Sequence, residues 1–141
     1  MTGEVAVVRA TQAAKSKQGL TQFHGISAES VDADGLCAHL LVVPPGGRAL
    51  AHRHSGHETA IYVLEGRVIM WFGEDLTESV EVGPGDFLYI PPDVPHLPIN
   101  ASQTEQARGL VARTDPNEQE SVELLPHLDV LPHLQPDLDT G

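Results

Sequence analysis

Short β-prone runs, separated by glycine and proline, dominate the middle of this chain of 141 residues. Breaks fall between the runs, as at Pro44-Pro45-Gly46-Gly47 and Gly83-Pro84-Gly85. Many short strands joined by such turns are typical of a sandwich or barrel, and no stretch shows a long helical period with caps at both ends. The pattern therefore predicts an all-β fold with strands at residues 36–43, 58–64, 67–72, 79–82, 86–90 and 107–112.

The chain divides into three parts of different composition, and its length suits one domain with a core. Residues 1–30 are predicted to form an N-terminal arm with short strands, and residues 31–114 the barrel. Residues 115–141 form a proline-rich, acidic tail that contains Leu-Pro-His-Leu twice, at 125–128 and 131–134. We expect the tail to be an extended segment that packs apolar residues on the barrel or on a partner subunit. The alternative is an arm whose His127 and His133 add ligands to a site.

The charge and cysteine content exclude several classes of function. A formal net charge of −12 disfavours binding to nucleic acid or to an anionic membrane surface, although it is consistent with affinity for cations or simply with solubility. Cys37 is the only cysteine, so no disulfide can form within the chain. No signal peptide is recognisable, and no apolar run approaches the roughly 20 residues that cross a bilayer. A cytoplasmic protein is expected.

Histidines spaced two apart suggest a metal site. His52 and His54 would point to the same face of a strand, so that two imidazoles converge from one rigid segment. Simple alternation places Glu58 on that face too, and a mixed His/Glu site suits Fe(II), Mn(II), Ni(II) or Zn(II). The alternation can fail, because Ser55-Gly56 favours a turn or bulge, and His57 is then an alternative ligand.

Two segments of the chain resemble the two conserved motifs of the cupin superfamily. The first motif runs from a glycine through His-x-His and a glutamate to a second glycine, and the second motif contains a Pro-x-Gly turn, a histidine and an asparagine. The matching residues are Gly46, His52, His54, Glu58 and Gly66 in the first motif, and Gly85, Pro91, Asp93, His96 and Asn100 in the second. The resemblance implies a single-domain jelly-roll barrel with one divalent metal ion (Fe, Mn, Ni or Zn) bound by His52, His54, Glu58 and His96.

The chain departs from the motifs at two places. Asp93 replaces the turn glycine, and aspartate tolerates left-handed backbone better than most residues, so the turn is expected to survive. The distance from Glu58 to Gly66 is one residue longer than in the motif, and counting back from Gly66 puts Thr59 in the acidic position. Threonine is a poor metal ligand, so Glu58 is the predicted ligand, with a three-histidine site as the alternative.

The superfamily hosts dioxygenases, decarboxylases, isomerases, cyclases and non-catalytic binders, so the fold does not choose among functions. We expect a metal-dependent enzyme of the oxygenase or oxidoreductase type that acts on a small organic molecule, with Glu58 and Tyr62 as catalytic candidates because Tyr62 shares the parity of Glu58. One alternative is a non-catalytic binding or sensing protein that contains a metal. Another is a metal-dependent isomerase or cyclase, and a sugar-phosphate isomerase would use a cationic pocket residue: Arg48, Arg67 or Arg108.

A second copy of the chain is the expected macromolecular partner. Small barrels often cover their edge strands by pairing, and residues 1–30 and 115–141 are the natural arms for such an exchange. A homodimer that binds a small molecule, without nucleic acid or membrane, is therefore predicted.

Overall fold

The structure, a computed structural model, describes residues 3–117, 119 and 121–134. Eleven strands, one short helix and two 3₁₀ helices follow one another along this part of the chain. The strands are β1 Ala13–Lys15, β2 Thr21–Ile26, β3 Cys37–Val43, β4 His52–His54, β5 Thr59–Glu65, β6 Val68–Phe72, β7 Glu78–Val82, β8 Phe87–Ile90, β9 His96–Asn100, β10 Ala107–Arg113 and β11 Val122–Leu124. The helix α1 is Ala28–Val31, and the 3₁₀ helices are Pro126–Leu128 and Pro132–Leu134.

The strands form two antiparallel sheets that face each other. The six-stranded sheet has the order β1-β2-β3-β10-β5-β8, and the five-stranded sheet has the order β11-β4-β9-β6-β7. This arrangement confirms the predicted all-β class, and the six strands expected from the sequence begin and end within one residue of their predicted bounds. The first strands lie in the larger sheet and β11 lies in the smaller one, so parts of both terminal segments pair with the barrel strands.

Apolar residues that alternate along the strands fill the space between the sheets. This inner core contains Leu20, Val43, Ala49, Val63, Val68, Val82 and Ala107. Successive side chains of a strand point to opposite faces, so residues between these positions face outward. The interior is therefore built from Val, Leu and Ala, in agreement with the low aromatic content of 4%.

The C-terminal segment covers the outer face of the five-stranded sheet. Leu128 and Leu134, the last residues of the two Leu-Pro-His-Leu copies, are buried against Leu76, Leu97 and Ile99 in a second apolar cluster. Polar contacts also hold the segment, because Asp129 Oδ1 accepts a hydrogen bond from the Ala51 amide at 2.7 Å. Residues 121–134 thus place apolar residues on the barrel as expected, but both Leu-Pro-His-Leu copies end in 3₁₀ helices instead of forming an extended segment. Residues 135–141 lie outside the described residues.

A glycine is required at the turn between β5 and β6. Gly66 has a positive φ of 80°, and a Cβ atom there would lie 2.6 Å from the Ala107 Cα atom. Both the backbone conformation and the close approach of β10 exclude a side chain at this position.

Among the described residues, no helix has the length and apolar character that crossing a membrane requires.

Candidate metal centre

Three histidines meet on the inner face of the five-stranded sheet. His52 and His54 belong to β4, and His96 is the first residue of β9. Each offers one ring nitrogen, and the three nitrogens lie within 4.8 Å of one another. The ring centroid of His52 is 4.3 Å from that of His96 and 5.2 Å from that of His54. All three side chains are buried, so the cluster lies inside the barrel.

Strand geometry and one turn bring these rings together. His52 and His54 share a face because they are two residues apart in a strand, and His52 is the register partner of His96 on the neighbouring strand. The turn before β9 is held by Asp93, whose amide donates to the His54 carbonyl at 3.1 Å and whose Oδ1 accepts from the Gly56 amide at 3.0 Å. Asp93 has a φ of 65°, which confirms the expected left-handed turn.

Backbone carbonyls orient two of the imidazoles. Nδ1 of His52 lies 2.7 Å from the Leu50 carbonyl oxygen, and Nδ1 of His96 lies 2.9 Å from the Val94 carbonyl oxygen. A carbonyl only accepts hydrogen bonds, so each Nδ1 carries the proton and each Nε2 has a lone pair for a cation. Such outer contacts are how proteins fix the tautomer of a metal-binding histidine.

The third imidazole has a buried nitrogen that the described residues leave unsatisfied. Nδ1 of His54 lies 3.3 Å from Ser121 Oγ, whereas its Nε2 has no hydrogen-bond partner among the described residues. A buried polar atom without a partner is rare and costs free energy, and a cation would satisfy it. The three histidines therefore fit a divalent transition metal, for which imidazole is a suitable ligand.

Burial keeps these imidazoles neutral. It lowers the pKa of His96 to about 4, with the Arg113 charge acting in the same direction and the hydrogen bond to Val94 opposing it. Burial also lowers the pKa of His52 and of His54 far below the ordinary value, and positive charge on the other histidines would lower both further. Neutral imidazole is the metal-binding form, so at neutral pH a cation would not compete with protons at this cluster.

The histidines line a cavity of about 70 Å³ between the two sheets. A water molecule needs roughly 10–15 Å³ of such volume, so the cavity has room for several waters or for one small organic molecule. Its wall is mainly apolar, with Leu41, Ile61, Met70, Leu88 and Val111 among the lining residues. A ligand in this cavity would contact the imidazoles at one side and aliphatic side chains elsewhere.

Glu58 does not lie with the three histidines, which corrects the expectation that it shares their face. Its side chain is exposed, and its Oε1 accepts a hydrogen bond from the Tyr89 hydroxyl at 2.7 Å. The turn at Ser55-Gly56 ends β4, and β5 begins a new alternation in which Thr59 points into the cavity. The alternation of side-chain direction therefore cannot be counted across the turn. Counting back from Gly66 correctly indicated position 59 as the one that faces the cavity.

Tyr62 also lies outside the cavity, which corrects its predicted orientation toward the metal. Its ring packs on that of Phe87 at a centroid distance of 4.7 Å, on the outer face of the six-stranded sheet. The cause is the same change of parity, because Ile61 and Val63 of β5 line the cavity and the residue between them points away.

The remaining candidates from the sequence have other contacts. His57 is half-buried, and its Nε2 lies 3.9 Å from Asp115 Oδ2. His127 is exposed, and Nε2 of His133 lies 2.7 Å from the Leu76 carbonyl oxygen, so neither reaches the cavity. The three arginines considered for a sugar-phosphate site form ion pairs, which are Arg48 with Asp129, Arg67 with Glu81 and Arg108 with Glu65.

Two titratable cavity residues were not selected from the sequence, Arg113 and His39. Arg113 is the last residue of β10 and is buried, and its Nε donates to Thr59 Oγ1 at 3.0 Å. Burial and the Arg113 charge together lower the pKa of His39 to about 4. Gly109, Val111 and Arg113 are alternate residues of β10, and the first two also line the cavity. This alternation could have indicated from the sequence that Arg113 faces inward.

Comparisons with known proteins agree with this architecture. The family described as cupin domain matches residues 39–113, just over half of the chain. Over 55 residues the chain is 44% identical to an uncharacterized protein of Methanocaldococcus jannaschii, a match that covers 39% of this chain and 42% of that protein. Over 79 residues it is 34% identical to quercetin 2,3-dioxygenase of Bacillus subtilis, covering 53% of this chain and 22% of that enzyme. The chain thus spans less than half the length of either relative.

Solved structures of this shape include the polyketide cyclase RemF from Streptomyces resistomycificus. The two chains superpose with a TM-score of 0.68 and 27% sequence identity, and the match covers 86% of each. The similarity therefore extends over nearly the whole barrel.

Proposed function

Because this chain belongs to the cupin family, we propose that it is a metal-dependent enzyme that acts on a small organic molecule inside the barrel. The observation that carries the proposal is the set of three buried, neutral imidazoles that share one wall of an apolar cavity. Three protein ligands leave coordination positions for water, dioxygen or substrate, which is typical of catalytic rather than structural metal sites. We propose His52, His54 and His96 as the ligands.

The metal ion would supply Lewis-acid or redox chemistry at this wall of the cavity. The protein residues supply position and environment. The Leu50 and Val94 carbonyls hold two imidazoles in the orientation that directs Nε2 into the cavity, and the apolar wall excludes water from the reacting molecule. Glu58 and Tyr62 are given no part in this chemistry, because both lie on the outer surface.

An oxygenase-type reaction is the activity we favour, with one ion of Fe, Mn, Ni or Zn. An apolar cavity beside an ion with free coordination positions suits a substrate and dioxygen together, and the partial similarity to quercetin 2,3-dioxygenase supports this choice. Histidine-only ligation adds no negative charge, so the ion would keep its full charge for polarising a bound oxygen atom.

A metal-dependent cyclase or isomerase is the second candidate. The extensive similarity to a polyketide cyclase supports it, since that match covers far more of the chain than the dioxygenase match does. A third candidate is a binding protein without turnover. In its favour, no aspartate or glutamate stands among the described cavity residues to act as a general base.

One series of measurements distinguishes these candidates. Metal content is measured on the purified protein by mass spectrometry, and oxygen uptake is then followed with a panel of small aromatic and aliphatic substrates. Substrate-dependent oxygen uptake supports the oxygenase, and product formation under argon supports the cyclase or isomerase. Thermal stabilisation by a compound that is not converted supports the binding protein. Failure of the protein to bind any of the four metals would overturn all three candidates.

We also propose that the protein is a cytoplasmic homodimer. Aromatic and aliphatic side chains are exposed together on the outer face of the six-stranded sheet, where Phe87 is 81% and Tyr89 is 58% exposed. Leu110, which is the register partner of Tyr62, is also exposed there. An apolar patch of this kind marks an interaction surface. Sedimentation velocity should give a dimer for the unchanged protein and a monomer for Phe87→Glu, and a monomer in both cases would refute the proposal.

A further inference from the structure

Three neutral polar side chains from one short stretch of the chain line the cavity. Ser16 and Gln18 lie in the connection between β1 and β2, Gln22 lies in β2, and each of the three is at most 9% exposed. Burying a polar group costs free energy unless the group is hydrogen-bonded. The hydrogen bonds of these residues therefore show whether the protein itself satisfies this wall of the cavity.

The side-chain oxygen of Gln18 is left unsatisfied. Its Oε1 is buried and has no hydrogen-bond partner among the described residues. Ser16 differs, because its Oγ accepts a hydrogen bond from the Leu20 amide at 3.2 Å. A buried acceptor without a donor has lost its bonds to water and gained none in return, which lowers stability. A donor group on a molecule in the cavity would remove this cost.

Backbone contacts hold Gln18 beside the proposed metal ligands. The Gly19 amide donates to the Ser16 carbonyl at 3.0 Å, which closes the turn that contains Gln18. The Gln18 carbonyl accepts a hydrogen bond from the Leu50 amide at 2.7 Å. The carbonyl of the same Leu50 orients the imidazole of His52. Gln18 is thus fixed next to the segment that leads into β4, and its side chain lines the same cavity as the histidines.

We propose that Gln18 accepts a hydrogen bond from a hydroxyl group of the molecule that the cavity binds. This inference rests on the proposed function and specifies the class of its substrate, a small neutral molecule with a hydroxyl group on an apolar body. A protonated amine would be costly to bury here, since the described lining residues include no aspartate or glutamate. The aliphatic lining, with Leu41, Ile61 and Leu88, favours the apolar body.

The position of one amide in an aliphatic cavity also explains how such a ligand would be selected. Binding sites of small molecules combine an apolar lining with a few polar groups that fix orientation. A site built to bond a hydroxyl discriminates against an analogue that lacks it, because the protein group is then left buried and unpaired. Phenol and fluorobenzene are suitable probes, since they have the same ring and similar size, and only phenol carries a donor.

Calorimetric titration of the metal-loaded protein with phenol and fluorobenzene tests the inference. The quantity compared is the ratio of the two affinities, because this ratio cancels the contribution of the ring. We expect Gln18→Met, which keeps the length of the side chain without its amide, to shift the ratio about fivefold against phenol. Gln106→Met is the matched control and should leave the ratio unchanged, since Gln106 is exposed and donates to Glu65 Oε1 at 2.9 Å.

The inference is overturned if Gln18→Met keeps the ratio of the unchanged protein, or if the unchanged protein binds neither probe. Without a probe, Gln18→Met should unfold at an equal or higher urea concentration than the unchanged protein, because it removes an unsatisfied acceptor. A purely structural role predicts the opposite pair of results, which are a loss of stability and an unchanged ratio, and would overturn the inference.

A second measurement on the unchanged protein serves if Gln18→Met fails to fold. The side-chain amide resonances of Gln18, followed by NMR, should shift more at saturation with phenol than with fluorobenzene. Equal shifts would overturn the inference.

Metal content measured on the same samples separates this inference from the proposed function. Equal metal in the unchanged protein and in Gln18→Met, with the ratio shifted in the variant, supports both. Metal-loaded protein whose ratio does not respond to Gln18→Met overturns the hydroxyl inference alone. Protein that cannot be loaded with metal overturns the proposed function, and titration of that protein with the two probes still tests Gln18.

Discussion

His52 and His96 are register partners on neighbouring antiparallel strands, and their ring centroids lie 4.3 Å apart. Cross-strand partners have the closest side chains in a sheet, so the pairing of β4 with β9 itself brings together two histidines that are 44 positions apart in the chain. His54 joins them because it is two residues further along β4. The cluster is thus a consequence of one strand pair.

Removing one of these histidines should abolish metal binding. We expect His52→Ala and His96→Ala to be purified without stoichiometric metal, because two remaining imidazoles hold an ion far more weakly than three. His127→Ala is the matched control at an exposed position and should keep the metal content of the unchanged protein. Mass spectrometry of metal in all three variants measures this, and equal metal contents would remove the assignment.

Replacing Glu58 should leave the metal site intact. We expect Glu58→Gln to bind metal like the unchanged protein, since its carboxylate is exposed and contacts the Tyr89 hydroxyl. Glutamine keeps a side-chain oxygen that can accept from the Tyr89 hydroxyl, so the free energy of unfolding should change by no more than about 0.5 kcal/mol. Metal titration followed by chemical denaturation gives both values. A clear loss of metal affinity would show that Glu58 reaches the ion after all.

The C-terminal segment should contribute substantially to stability. Leu128 is 4% exposed within the outer apolar cluster, so Leu128→Ala should lower the free energy of unfolding by about 2–5 kcal/mol. Val130→Ala, two residues further on at a position that is 78% exposed, should change it by less than about 0.5 kcal/mol. Urea denaturation compares the two variants, and similar small effects would mean that the segment does not pack on the sheet in solution.

Acid should destabilise the metal-free protein before most carboxylates titrate. The pKa of His39 is lowered from 6.5 to about 4 in the folded protein, so below pH 6.5 the unfolded chain binds a proton that the folded chain does not. Stability therefore falls as the pH decreases from about 6.5 to about 4, by up to about 3 kcal/mol for this group. The other buried histidines act in the same direction.

Denaturation midpoints in the presence of a chelator, measured between pH 7 and pH 5, test this dependence. His39→Gln should reduce the loss of stability over this interval, whereas His127→Gln, at an exposed position, should not. A midpoint that is the same at pH 7 and pH 5 would contradict the prediction.

The strand pattern was predictable because its causes are local. Clusters of glycine and proline such as Pro44-Pro45-Gly46-Gly47 and Gly83-Pro84-Gly85 separate the strands, and β-branched and apolar residues are frequent between them, so these runs could be recognised directly from the chain. The orientation of Glu58 could not be predicted by counting alternate residues from His54. A turn separates β4 from β5, and the alternation of inward and outward side chains begins anew after it. Thr59 rather than Glu58 consequently faces the cavity.

The sequence by itself determined the all-β class, six of the strands and the shared face of His52 and His54, since these depend on residue types and on spacing within short segments. His96 was added to this pair only through the resemblance to the cupin motifs. Only the tertiary structure decided that Arg113 faces the histidines, because β10 reaches them across the barrel from the opposite sheet. It likewise decided that the C-terminal segment covers the outer face of the smaller sheet. Contacts between residues distant in the chain depend on how the sheets pack, and no local pattern records that packing.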